Sequence, residues 1–251
     1  RVAISDSYLK RMVNCINLHL LPQLAPTPIS HISAPLVIKI LKPVGEAGLL
    51  ETVRKLCRWL NEIMDYAVNT GLIASNCLFG IRKAFPAPSS KNHPTLKSEE
   101  LPAFFKCLED SKVSTETKCL IHWMLYTLVR PGEAASAEWR EINLDNATWV
   151  IPKEKMKMKR DHIVPLSTQA IKILHTMKPM SGHRRYLFPA RNDVSGHINS
   201  ETANVALKRM GYKSKLVSHG IRALGSTILH EHGHKSELIE LSLAHVDKNQ
   251  I

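Results

Sequence analysis

Four short stretches hold side chains whose types and spacing suit chemistry at a phosphate. Arg130 closes the apolar run Leu125–Val129 and is followed by Pro131, Gly132 and Glu133. Lys157 lies in the basic run Met156-Lys157-Met158-Lys159-Arg160. His219 and Arg222 stand three apart in Ser218-His219-Gly220-Ile221-Arg222, and His245 closes Leu243-Ala244-His245. An arginine presents a planar fork that donates two parallel hydrogen bonds to phosphate oxygens and keeps its charge. Histidine and lysine can move a proton at the same centre. Singly, each stretch has an ordinary role: Arg130 is a cation suited to a helix C-terminus, His219 and Arg222 are one helical turn apart, and the basic run is a solvated turn. Their joint occurrence, in this order, points to one site.

A fifth pattern, His230-Glu231-His232-Gly233-His234, formally satisfies the HExxH zinc signature, in which two histidines one helical turn apart bind the metal. Gly233 would fall inside the required helix and weaken it, and Glu237 stands where the longer motif needs glycine. A helix end rich in solvated histidines is the expected reading, with no metal and no cofactor; a metalloprotease ranks third among the functions considered.

The elements that must position these residues fall on either side of a seam at Lys83–Pro94, KAFPAPSSKNHP, where three prolines and two serines interrupt the apolar pattern. Residues 1–85 are expected to form one domain, 86–93 a linker and 94–251 a second domain. Before the seam, helices are predicted over Ser5–Leu24, Pro35–Pro43 and Leu49–Thr70, with a shorter one around Cys77–Phe85. In the third, Val53, Leu56, Trp59, Leu60, Ile63, Met64 and Ala67 recur at helical spacing, with Arg54, Lys55 and Arg58 off that stripe. Beyond the seam, Ser98 with Glu99 and Glu100 opens a helix, and a buried helix covers Thr117–Val129. Two β-rich runs, Thr148–Ile151 and His162–Pro165, flank the basic tip as a hairpin. Helices return at Ser167–Met177, Ser200–Met210, His219–Glu231 and Ser236–Ala244. The expected fold is mainly α with a small antiparallel β-sheet.

Lys and Arg number 34 against 22 Asp and Glu, a formal charge of +12 over 251 residues, which points to a nucleic-acid partner. A basic membrane binder would concentrate its cations opposite an apolar helix face, whereas here they are spread over many elements. The longest apolar run, Cys119–Val129, is too short for a bilayer, which needs about 20 residues. Five cysteines, odd in number and without a C-x-x-C pair, read as reduced and mostly buried.

In order and spacing the four stretches resemble the motifs of tyrosine site-specific recombinases, most closely the integrases of satellite phages and genomic islands. The resemblance covers Pro94–Ile251 well and the first domain loosely. It implies a helical core-binding domain over 1–85 and a catalytic domain over 94–251, the two clamping opposite faces of a duplex, that integrate or excise a mobile element by strand cleavage and rejoining through a 3′-phosphotyrosine. By the same resemblance Arg130 and Arg222 clamp the non-bridging oxygens, and His219 assists as phosphate donor or base. Lys157 protonates the departing 5′ oxygen, His245 bonds the scissile phosphate and Glu133 braces the site. Counting eight residues back from Pro165, as the family pattern does, selects Lys157, with Lys159 as the alternative.

The family's nucleophilic tyrosine would fall three or four positions beyond Ile251, and none of Tyr8, Tyr66, Tyr126, Tyr186 or Tyr212 matches its place. The chain alone is therefore expected to bind DNA without cleaving it. Expected partners are double-stranded attachment sites, with an excisionase or DNA-bending host factor, in a tetramer on paired sites built from a fragment that is itself monomeric. The expected location is the bacterial cytoplasm, at the nucleoid. Ala223-Leu224-Gly225 departs from the small polar and aromatic residues usual after Arg222, which puts full activity in question. The alternative function is a degenerate recombinase that occupies DNA without catalysis.

Overall fold

The computed structural model describes residues 6–89, 93–156 and 159–244. Two compact units divide between Lys91 and Asn92, and each has its own apolar core.

The first unit is helical. Helices α1 (Asp6–His19), α2 (Leu21–Leu24), α3 (Ala34–Glu46) and α4 (Leu50–Asn69) enclose Leu20, Val37, Leu41, Leu56 and Met64. The single helix expected over Ser5–Leu24 is broken at Leu20, because Pro22, near the start of α2, has no N–H to continue the ladder. α3 runs three residues past Pro43, where a stop was expected. A proline in the last turn forfeits one backbone bond, and the helix ends instead where Gly48 turns left-handed at φ +81°. Along α4 every residue of the predicted stripe is buried except Ile63, while Arg54, Lys55 and Arg58 face solvent. The helix expected around Cys77–Phe85 is only a 3-10 turn over Ile81–Ala84, because Gly80 is left-handed at φ +75°.

In the second unit, a 3-10 turn at Ser98–Glu100 leads into α5 (Leu101–Asp110), and Ser114 caps the buried α6 (Thr115–Thr127) by accepting from the Thr117 N–H. α6 stops two residues short of the predicted end because Leu128 adopts φ +52°, a turn that redirects the chain into α7 (Pro131–Ala135). An antiparallel sheet follows in the order β1 (Ile142–Asn143), β2 (Thr148–Ile151), β3 (His162–Pro165), with Ile142 opposite Trp149 and Trp149 opposite Val164. β1 extends the expected hairpin to three strands. Trp149 packs on Trp123 of α6 with centroids 5.2 Å apart, which ties the sheet to the helical core. The rest is α8 (Thr168–Ser181), α9 (Thr202–Leu207) continued by a π turn, α10 (Gly220–Glu231) and α11 (Ser236–Ser242). The architecture is mainly α with a small antiparallel sheet.

All five cysteines are free, but only Cys57 and Cys119 are buried and Cys77 is exposed, so "mostly buried" does not hold for the set. Burial pushes the Cys57 and Cys119 thiols up to about 11. No helix among the described residues is long and apolar enough to cross a membrane.

Candidate phosphate site

The turn at Leu128 delivers Arg130 to the start of α7, where Glu133 fixes it twice. Glu133 Oε2 accepts the Arg130 backbone N–H at 2.8 Å and Oε1 accepts its Nη1 at 2.9 Å. Glu133 is buried and Arg130 partly exposed, so the carboxylate orients the guanidinium from the buried side.

Arg222, on the first turn of α10, lies within the field of that pair. Its Nη1 donates to the Leu128 carbonyl and its Nη2 to the Leu243 carbonyl, the latter at 2.6 Å. Burial, then Arg130, push its pKa down to about 10, with Glu133 and Glu240 opposing; it remains charged at neutral pH. Two like charges held together in a partly buried setting gain from a bound anion. Arg222 thus joins the end of α6, the start of α10 and the end of α11.

His219, just before α10, has its pKa lowered by burial first, then by His93; Glu201 opposes, and Arg222 and Arg130 add to the lowering. Burial also lowers the pKa of His162 on β3, which feels Glu133, Arg222 and Arg130 as well. Arg130, Glu133, His219 and Arg222 therefore come together from two distant stretches. Lys157 and His245 lie outside the described residues. The rival Lys159 is described and exposed, at φ +50°.

Their supports are described, and sequence reasoning missed them. Lys155, two residues before Lys157, donates to the Ser136 carbonyl at 2.7 Å and pairs with Glu138 and Glu141 at 2.9 and 2.5 Å. Glu138 is fully buried and also meets Arg140 and Arg185. Chiefly its bond from Arg185, and then Lys155, bring it down to about 2 against the opposing effect of burial. Lys155 is thereby fastened to the segment between α7 and β1. Arg222 in turn holds the carbonyl of Leu243, two residues before His245 in the sequence. His162 follows a run of cations, and nothing in its spacing separated it from them. Glu138 and Glu141 carry a weak signal, as acids in a chain rich in cations.

The departure at Ala223-Leu224-Gly225 has a packing explanation. Leu224 is fully buried, and a Cβ on Gly225 would lie 2.2 Å from the Leu128 side chain. The HExxH pattern is not a helical pair, because α10 ends at Glu231 and Gly233 is left-handed at φ +74°. His230 and His232 lie against the carbonyls of Ser226 and Ile228, and Glu231 accepts from Ser98. No metal-holding group of three or more His, Cys, Asp or Glu occurs among the described residues. Among the tyrosines, Tyr8 packs against Trp59, Tyr126 on His122, Tyr186 against His197 and Tyr212 against Phe104, and Tyr66 is exposed on α4.

Two helical units, the second with a three-stranded sheet beside paired arginines, define the fold of tyrosine site-specific recombinases. It aligns with a lambda integrase dimer bound to a COC' core site at TM-score 0.78, with 16% identity over 99% of this chain and 88% of that one. It aligns with the Tn1549 transposon integrase in complex with a circular intermediate DNA at TM-score 0.82, with 13% identity over 98% and 88%. The chain belongs to the phage integrase family: residues 94–251 match the Phage integrase family and residues 1–84 the Phage integrase central domain. Prophage integrase IntA of Escherichia coli (strain K12) is 42% identical over 251 residues, 100% of this chain and 61% of its own length. Prophage integrase IntZ of the same organism is 35% identical over 245 residues, 97% and 60%. The chain thus spans about three fifths of these relatives.

Proposed function

We propose that this chain is the DNA-gripping and phosphate-activating portion of a site-specific recombinase that integrates or excises a mobile element. The observation that carries the reading is the convergence of Arg130 and Arg222, one braced by Glu133 and the other anchored on two backbone carbonyls. Residues 1–85 and 94–251 would act as core-binding and catalytic domains joined by the strap at 86–93. In the reaction, a tyrosine phenol attacks the scissile phosphorus and passes its proton to His219. The O–P bond to tyrosine forms as the bond to the 5′ oxygen breaks, and Lys157 donates the proton that this oxygen takes up. Arg130, Arg222 and His245 would hold the charge that builds on the non-bridging oxygens, the kind of preorganised field that carries most of such a rate enhancement. The chain alone would bind duplex DNA as a monomer without cleaving it. Tetramers on paired attachment sites, an excisionase or DNA-bending host factor, and action at the bacterial nucleoid complete the proposal.

The test has two parts. Duplex binding by the chain should weaken steeply with salt, as phosphate contacts require; a dissociation constant that barely moves counts against the reading. The form extended through the nucleophile should become covalently attached to a nicked attachment-site DNA. Tight, salt-sensitive binding with no covalent product would instead identify a degenerate recombinase that only occupies its sites.

A further inference from the structure

His93 stands near the beginning of the second unit, against His219. Its ring packs against the ring of His219, with centroids 5.3 Å apart and planes 32° from parallel. The two residues after it are fastened to the same turn. Pro94 offers its carbonyl to the Val217 N–H at 3.3 Å, and Thr95 Oγ1 donates to the Gly220 carbonyl at 2.9 Å. Gly220 is the only residue type that fits between: a Cβ there would lie 2.0 Å from the Pro94 oxygen, a backbone atom that cannot swing away. Below the turn, the Ser218 N–H donates to Asn204 Oδ1 at 2.7 Å, and Leu96 anchors the segment in the core. Residues 217–220 are held between segment 93–96 and the start of α9.

We propose that His93 is a positioning residue for the phosphate site, its ring fixing the orientation in which His219 faces the reacting phosphate. This rests on the recombinase reading above. The groups facing His219 are His93, Glu201, Arg222 and Arg130. Three of the four oppose a positive charge on it. A neutral imidazole can accept the phenol's proton, whereas a charged one cannot. Segment 93–95 thereby serves the chemistry: it contributes one wall of the site and keeps the base in its working form.

The experiment uses the protein extended through its nucleophile and measures single-turnover cleavage of a nicked attachment site at saturating DNA, from about pH 5.5 to 8.5, where imidazoles titrate. His93→Ala is expected to slow cleavage about 10- to 100-fold, the scale of a misplaced catalytic group. It should also move the acid limb of the profile to higher pH, because one of the groups that oppose a positive charge on His219 is removed. His93→Phe keeps the ring face and should restore most of the rate. Wild-type rates and profile for His93→Ala would overturn the proposal, as would an equal loss at every pH that His93→Phe fails to restore. Arg222→Ala, measured alongside, separates the two levels. If it still cleaves normally, the recombinase assignment has failed; if it is inactive while His93→Ala is normal, only the role of His93 is lost.

Discussion

Glu133 accepts from Arg130 twice, once from the backbone and once from the guanidinium. The same carboxylate that starts α7 therefore aims the arginine. Glu133→Gln keeps the shape but removes the charge-assisted bond, and hydrogen bonds to charged groups are worth about 1.5–3 kcal/mol. Because Arg130 is partly exposed, the lower half of that range is expected in urea unfolding. Cleavage by the nucleophile-complete protein should fall more than DNA affinity does.

The Glu138 cluster gives a pH-dependent prediction. Its pKa in the folded protein, about 2, lies below the ordinary carboxylate value. The stabilisation is thus complete above that ordinary value and is lost as pH falls toward 2. Its magnitude is about 1–3 kcal/mol, discounted because Arg140 and Arg185 are exposed. Glu138→Gln should be less stable than wild type at pH 7, and the gap should close as the medium approaches about pH 2. A gap independent of pH would mean that the cations do not hold the carboxylate.

Where the sequence was legible, the reason is periodicity or residue chemistry acting locally. The α4 stripe and the β2 and β3 strands depend on neighbours within a few residues. What was missed depends on backbone state or on distant partners. The stops at Leu128 and Gly80 are left-handed turns, and α3 and α8 run through Pro43 and Pro179 because both prolines fall in last turns. His162, Lys155 and His93 gain their significance only from residues 14 or more positions away. No spacing rule links His93 to His219.

Gly225 faces the side chain of Leu128, whose carbonyl takes Arg222. Gly225→Ala must displace that side chain, and overpacking of this kind costs about 1–3 kcal/mol. A lowered melting temperature with a reduced cleavage rate is expected. An unchanged melting temperature would show that Leu128 yields freely.

His162 and His219 both have folded-state pKa values below the ordinary imidazole value. The unfolded chain therefore binds protons more readily as pH falls through that value, and the folded protein loses stability there. His162→Gln should remove part of this acid sensitivity between about pH 7 and 5. An identical pH slope in the variant would mean that His162 is not held in the neutral form.

The central claim is that Arg130 and Arg222 act on one phosphate, and the most direct measurement is single-turnover cleavage at saturating half-site DNA by Arg222→Ala and Arg130→Ala in the nucleophile-complete protein. Losing one donor aimed at developing charge costs about 10²–10³ in rate, whereas the many other phosphate contacts should keep half-site affinity within roughly tenfold. The account predicts rates lowered by at least that factor in both variants, with binding nearly retained. Normal cleavage by either variant, or a loss that saturating DNA fully restores, would contradict it.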